Sequence, residues 1–289
     1  MKGASVRDVE AVDPDCAIAQ ALGVVGDWWT LLVIRDVAGG LHWFDALRAD
    51  LGISRKVLAE RLRALESDGV VERRQYSARP PRFEYHLTEK GRGLLPVLVA
   101  LQDWGTRYVL GDGSLDASSA PDSGEARRAQ GLVGRAVPQL RPDPLAHAGS
   151  TVVYFFPGAA PPGTRFYPPG WGDIPGAAGC TLEATTFRDA YAEFRDAGAQ
   201  VVGVSTQRQD QLDALADHLG LPFPLVSDER LDLAAALRLP TFRAGGESRF
   251  KRLTMLVGPD RVIREVLFPV TDPAGTVKDA LDLVRTATG

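Results

Sequence analysis

The chain of 289 residues is poor in cysteine, methionine and histidine, with two, two and four of each, and it lacks any excess of positive charge, carrying a net charge of -4. Two cysteines far apart in sequence, Cys16 and Cys180, exclude a disulfide-stapled scaffold and leave each thiol to be read for its own chemistry. The histidines, His42, His86, His147 and His218, are scattered without metal-ligand spacing, so neither a metal nor a cofactor is expected. No apolar run approaches the length of a membrane span, and the opening MKGASVRDVEAVDPD has no apolar signal-peptide core. A cytoplasmic protein without a membrane partner is the expectation. A uniformly basic coat is absent too, which leaves room only for a local basic face.

What is present divides in two. The composition, 45% hydrophobic and 24% charged, is that of an ordinary globular chain, and the length suits two domains. The stretch GDGSLDASSAPDSGEARRAQG at 111–131 reads as a connector. The expected organisation is therefore a domain over 1–110, a linker over 111–130 and a domain over 131–289. The first is mostly helical in rhythm. In the second, TVVYFF, QVVGVS and RLTMLV alternate with helix-like segments, the pattern of an α/β domain.

In the first region CAIAQALGVVG, WWTLLVIRDVA and HWFDALRADL read as helices. LGISRKVLAERLRALESDGVVERRQY then supplies a turn at Gly52, an N-cap at Ser54 and a helix with Leu58, Leu62 and Leu65 on one face, closed by Gly69. Arg55, Lys56, Arg63 and, nearby, Arg61 lie on the other side. A hairpin follows, VVERRQY and FEYHLTE, whose tip SARPPR carries Arg79 and Arg82 stiffened by Pro80 and Pro81. Residues 53–92 hold ten Lys or Arg against six Asp or Glu, while residues 1–52 hold four against eight. Each arginine alone reads equally well as part of a solvated face. Together they are placed as a winged helix presents a recognition helix to the major groove and a wing to the backbone, which makes double-stranded DNA the expected partner.

The strings WWTLLVIRDVAGG, ISRKVLAERLRALESDGVVERRQY, RPPRFEYHLTEKG and LLPVLVALQDWG resemble the HxlR-type family of bacterial winged-helix transcription regulators, over about residues 14–110. The resemblance implies operator binding as a homodimer, and it places Cys16 where several members carry an oxidant- or electrophile-sensing cysteine. Trp28 and the pair His42-Trp43 depart from the family's usual basic residues. Read from the residues alone, Cys16 is either a helix-start thiolate or a small buried residue at a dimer interface. Leu94, Leu95, Leu98, Leu101, Trp104 and Tyr108 recur at helical spacing and read as a dimerisation helix.

In the second region the order is strand (151–156), long loop, helix (181–197), strand (200–205), helix (208–219), short strand (223–226), helix (232–238), two strands joined by GPD, and a last helix (275–287). That order suits a thioredoxin-like domain with Cys180 where the loop meets a helix, so that free amides there would favour a thiolate. Thr181 and Glu183 fall in the first helical turn, and Phe187, Tyr191 and Phe194 form its apolar stripe. Arg252, opening the RLTMLV strand, is the candidate cation beside the thiolate. The insert GAAPPGTRFYPPGWGDIPGAAG, with Trp171, reads equally as a lid, a docking surface or a variable loop.

GCTLEATTFRD, VSTQRQDQLDALADHLGLPFPLVSDE and RLTMLV resemble the peroxiredoxin family, nearest its bacterioferritin-comigratory-type branch in the AhpC/TSA group, over roughly residues 131–288. The resemblance implies a peroxidatic Cys180 supported by Glu183 and Arg252, with peroxide or another oxidant and a thiol reductant as partners. Ala177 stands where the general motif has a threonine, Asp173 where it has a proline, and Thr185 where the branch often has its resolving cysteine. Slow turnover follows from the first change, and the last makes Cys16 the one candidate for an internal disulfide, either within a chain or across a dimer; the alternative is a Cys180 resolved by an external thiol.

The expected function is a redox-responsive DNA-binding regulator sensing peroxide through Cys180 and coupled in one version to Cys16. The alternatives are a one-cysteine thiol peroxidase carrying an accessory DNA-binding domain, and a scaffold binding a small metabolite under the proline-rich loop.

Overall fold

The computed structural model describes residues 15–110, 116–139, 143, 145, 149–164 and 166–288. The first 14 residues, the first five linker positions and His147 lie outside the described residues. The chain forms two compact units, Met1–Leu98 and Val99–Gly289.

The first unit runs α1 (Ala17–Val25), α2 (Trp28–Ala38), α3 (Phe44–Leu51), α4 (Arg55–Ser67), β1 (Val71–Ala78), β2 (Pro81–Leu87), a single turn α5 (Glu89–Arg92) and the start of α6 (Leu95–Tyr108), within which the division falls. α2 begins where the Asp27 carboxylate accepts from the amides of Trp29 at 3.0 Å and Thr30 at 3.3 Å, satisfying two donors that a helix start leaves open. Gly52, at φ +63, makes the tight turn from α3 into α4, a backbone conformation that side chains with a Cβ rarely adopt. Leu58, Leu62 and Leu65 of α4 are buried along with Val33, Ile34, Val37 and Leu47, so the apolar face read from the sequence is the one that forms the core. β1 and β2 pair antiparallel as the wing. No single helix among the described residues is long and apolar enough to cross a membrane; α1 and α2 pass that test only as a pair, across a bend of 74°.

The second unit continues with α7 (Gly124–Gln130), β3 (Ser150–Phe155), α8 (Cys180–Asp189), α9 (Tyr191–Asp196), β4 (Ala199–Ser205), α10 (Gln209–Leu219), β5 (Leu225–Ser227), α11 (Asp232–Leu237), β6 (Thr241–Ala244), β7 (Glu247–Phe250), β8 (Leu253–Val257), β9 (Ile263–Leu267) and α12 (Gly275–Thr288). Its main sheet has the order β5-β4-β3-β8-β9, with β3, β4 and β5 parallel and β8 antiparallel to both β3 and β9. This is a thioredoxin-like α/β fold. Val152, Tyr154 and Val201 of the sheet bury against Phe187 and Phe194 of the first helices and Val277, Leu281 and Val284 of α12.

Three details differ from the expectations. The single helix over 181–197 is two, because the amide of Glu193 reaches back only three residues, to the Ala190 carbonyl, and interrupts the regular turn. β6 and β7 form a hairpin through Gly245-Gly246, in a stretch to which the sequence order assigned no element. The second half of the expected linker is a packed part of this unit: Ser123 caps α7 by accepting from Ala126 N–H at 3.0 Å, and Glu125, Ala126 and Ala129 are buried. Asp228 starts α11, taking the amides of Leu233 and Ala234 at 2.9 Å each; burial pushes its carboxyl up to about 7, against the pull of those donors.

Candidate functional site

Cys180 is the first residue of α8, buried at 4% exposure. The loop delivers it through Gly179 at φ +102, a conformation that side chains with a Cβ rarely adopt and where a Cβ would press on Pro273 at 3.1 Å. Arg252, at the foot of β8, lays Nη2 3.1 Å from the Cys180 sulfur. The same nitrogen donates to the Ala178 carbonyl at 2.7 Å and the Ala177 carbonyl at 3.4 Å, while Nη1 donates to the Glu183 carboxylate. The thiol points at the Ala177 carbonyl, 3.6 Å away. The structure thus brings Arg252 from far along the chain to Cys180 and Glu183, which share the first turn of α8, so the three residues predicted for the thiol site lie together.

The electrostatics oppose a fully formed thiolate. Burial pushes the Cys180 thiol above its ordinary value; Arg252 pulls it down, Glu183 pushes it up again, and a backbone bond at Gly158 pulls it down. The expected activation by helix amides and a cation is therefore outweighed by desolvation in this arrangement. Glu183 is likewise raised by burial, against the attraction of Arg252, and the charge of Arg252 is retained because Cys180 and Glu183 outweigh its burial. Ala177 occupies the threonine position of the motif and contributes a carbonyl but no hydroxyl. Thr185, in the resolving position, is half-buried and turns its hydroxyl back to the Thr181 carbonyl at 2.9 Å.

Two basic residues that sequence reasoning passed over complete the surroundings. Arg249, nearly buried, stacks its guanidinium over Phe166 at 4.8 Å and Trp171 at 5.1 Å, donates weakly to the Pro157 carbonyl at 3.4 Å and pairs with Glu247 at 2.8 Å. The aromatic residues of the long insert therefore pack against the hairpin preceding Arg252. Lys251, 1% exposed, pairs with Glu125 of α7 at 2.7 Å. The run RFKR at 249–252 was the available signal, but nothing local says that its three cations turn to three different sets of partners.

On the first unit, Ser54 accepts from Val57 N–H at 3.2 Å and starts α4 as expected. Arg55, Lys56 and Arg63 are exposed on α4, and Arg79 and Arg82 are exposed at the wing tip. Arg55 rests 3.3 Å from Asp45 and over the Phe44 ring, an exposed contact that a phosphate can displace. Arg61 is turned inward instead, pairing with the α2 cap Asp27 at 3.1 Å, so it leaves the basic face. Cys16 sits at the N-cap of α1, half-buried and making no side-chain cap, and both cysteines are free thiols. Val97, Leu101, Trp104 and Tyr108 form an exposed apolar face on α6, and Ile18 and Leu22 are exposed on α1. No cluster of three or more metal-ligating residues occurs among the described residues.

Comparison with known proteins assigns a likeness to each region. The family model described as HxlR-like helix-turn-helix matches residues 24–112, and that of the AhpC/TSA family matches residues 174–266. An uncharacterized HTH-type transcriptional regulator of Mycobacterium tuberculosis is 43% identical over 93 residues, which are 32% of this chain and 59% of that protein. The chain thus spans less than two thirds of that relative's length. An uncharacterized HTH-type transcriptional regulator of Methanothermobacter thermautotrophicus is 38% identical over 94 residues, 32% of this chain and 72% of that protein. Among solved structures, peroxidoxin BcpB from Mycobacterium tuberculosis is 27% identical, covering 49% of this chain and 82% of that one, with a TM-score of 0.40.

Proposed function

Given that the chain belongs to the HxlR-like helix-turn-helix transcription regulators in its first region and carries a second region that matches the AhpC/TSA family model, we propose that it is a cytoplasmic, peroxide-responsive DNA-binding regulator whose sensor is Cys180. The observation that carries the reading is the 3.1 Å contact between Arg252 and the Cys180 sulfur at the start of α8, in a chain that also presents a capped, basic α4 and an arginine-tipped wing. The thiolate attacks one peroxide oxygen: an S–O bond forms as the O–O bond breaks, and the released alkoxide or hydroxide takes up a proton. Sulfur is oxidised by two electrons and the peroxide reduced by two. An external thiol then forms a mixed disulfide with the loss of water, and a second thiol restores Cys180.

The missing hydroxyl at Ala177, together with the burial that pushes the Cys180 thiol above its ordinary value, favours slow oxidation over rapid turnover, which suits a sensor better than an efficient peroxidase. Arg55, Lys56 and Arg63 on α4 approach the major groove in this reading, and Arg79 and Arg82 the adjacent backbone. The exposed apolar faces of α6 and α1 support a homodimer. Cys16, free and half-buried, is a second redox candidate and the one internal partner for Cys180.

The test is a gel-shift titration of the full chain against DNA upstream of its own coding sequence, reduced and peroxide-treated. A changed affinity that Cys180→Ser abolishes supports the sensor. Fast steady-state peroxide consumption with a thiol donor and unchanged DNA affinity would replace it by a thiol peroxidase with an accessory DNA-binding domain. A Cys16–Cys180 peptide in non-reducing mass spectrometry identifies the internally coupled version.

A further inference from the structure

The thiol site is built from one loop and one strand foot, and a third segment touches both. Residues 117–125, read from the sequence as linker, cross the two arms of the site from outside. On the loop side, Ala117 N–H donates to the Pro175 carbonyl at 2.9 Å, and Ala117 is buried against Trp171, Ala177 and Phe242. Gly176, at φ +80, lies so close to this strip that a Cβ there would stand 3.2 Å from Ala117 and Ser118. The next residue is Ala177, whose carbonyl receives both the Cys180 thiol and Arg252.

On the strand side, Lys251 immediately precedes Arg252. Its ammonium spends all its donors on the same strip: the Ser118 carbonyl at 3.2 Å, the Ser119 hydroxyl at 3.1 Å and the Glu125 carboxylate at 2.7 Å. Lys251 and Glu125 are 1% and 4% exposed, and Ser119 donates to the same carboxylate. A buried ion pair adds little to stability against an apolar pair of equal shape, but it is directional and costly to half-break, which suits it to hold a position. Lys251 thereby fixes the backbone from which Arg252 reaches the sulfur, while Ala117 fixes the loop whose carbonyls orient the guanidinium.

We propose that residues 117–125 are a positioning element of the Cys180 site: docked, they hold Arg252 and the Ala177 carbonyl in register around the sulfur, and undocking releases both. The proposal rests on reading Cys180 as the reactive thiol, and it names how that thiol is regulated. By linkage, whatever alters the docking of this strip alters the acidity of Cys180, and a change of charge at Cys180 alters the docking in return. The strip belongs to the stretch of chain that follows the DNA-reading region, so the element joining the two functions in sequence is the same one that tunes the thiol.

The experiment uses the full chain carrying Cys16→Ser, so that one thiol reports, and follows its alkylation by iodoacetamide as a function of pH. Glu125→Gln keeps the shape and removes the charge that holds Lys251; Ala117→Pro removes the amide donor to Pro175. Each is expected to raise the midpoint of the alkylation profile by about one pH unit, the scale on which a cation leaving a thiolate acts, and so to slow alkylation below the midpoint about tenfold. If Glu125→Gln does not fold, Glu125→Leu with Lys251→Met replaces the pair by apolar groups of similar volume, with the same expected rise. A midpoint that stays while the melting temperature drops shows a strip that merely stabilises the fold, and a midpoint that falls shows one that only keeps water from the sulfur; either overturns the proposal. Alkylation needs no peroxide, so a Cys180 that ignores peroxide would overturn the sensor reading and leave this result standing.

Discussion

Arg252 in the second unit and Arg55 in the first are the same side chain in opposite surroundings. Arg252 is 2% exposed, with its guanidinium shared among a sulfur, a carboxylate and two carbonyls. Arg55 is exposed at the head of α4, resting on a solvated Asp45. A charge held from several sides in a water-poor site has one geometry and acts on whatever sits within it; a charge on a long solvated stem has many, and acts by being available. The two regions therefore place their functions in different currencies, position in one and accessible charge in the other. Mutations should separate them.

The largest effect is expected from Arg252→Met, which strands a buried Glu183 carboxylate: about 3–5 kcal/mol of stability is lost, read by urea unfolding, together with the reaction of Cys180 with peroxide. Adding Glu183→Leu should recover most of the stability and none of the reactivity. If reactivity returns with stability, Arg252 acts through the fold alone and the contrast with Arg55 collapses.

An intermediate effect is expected on the first unit. Arg55→Ala or Lys56→Ala should weaken operator binding, by about 1–3 kcal/mol if the side chain reads a base edge, while stability changes by no more than about 0.5 kcal/mol. Arg79→Ala or Arg82→Ala should lower affinity for all sequences alike and reduce the slope of log affinity against log salt by about 1. Fluorescence anisotropy across a salt series checks both; four variants with unchanged affinity and slope would remove DNA from this face.

A pH-dependent effect is expected at Asp228, a buried carboxyl held by two backbone amides. Its folded-state value of about 7 lies above the ordinary 3.8, so the folded chain holds the extra proton between these values and stability falls as pH rises through that window. Asp228→Asn has no such proton. The melting temperature of the parent relative to this variant should therefore be greatest on the acid side and shrink as pH rises through about 7; a gap that widens instead would show the carboxylate to be stabilised by its two amide donors.

Much of the architecture was legible because it is local. The spacing of Leu58, Leu62 and Leu65, the Ser54 cap and the Gly52 turn each depend on residues within a few positions, and each appears where the pattern places it. The strands β3, β4, β8 and β9 were legible for the same reason. The β6–β7 hairpin was not, since its two strands are only four residues each and the glycine pair between them suits a loop as well as a tight turn. Nor was α7: a small-residue, polar stretch looks like a solvated connector unless one knows that Lys251 lies in wait for Glu125. Of the thiol site, Cys180, Glu183 and Arg252 were found by motif, while Arg249 and Lys251 were missed because a basic run has no intrinsic direction.

By itself, then, the sequence determined most of the elements, the Ser54 cap and the apolar face of α4, the two-part organisation and the identity of the reactive thiol candidate, all properties of neighbouring residues. Only the tertiary structure decided the acidity of that thiol and the partners of each cation. Arg61 and Arg55 lie six positions apart on one helix, yet one turns inward to Asp27 and the other stays in solvent. Cys180 has a helix start and an arginine in its favour, yet burial carries its value upward. Desolvation and long-range pairing depend on what the rest of the chain stacks around a group, and that is set when the fold closes rather than along the sequence.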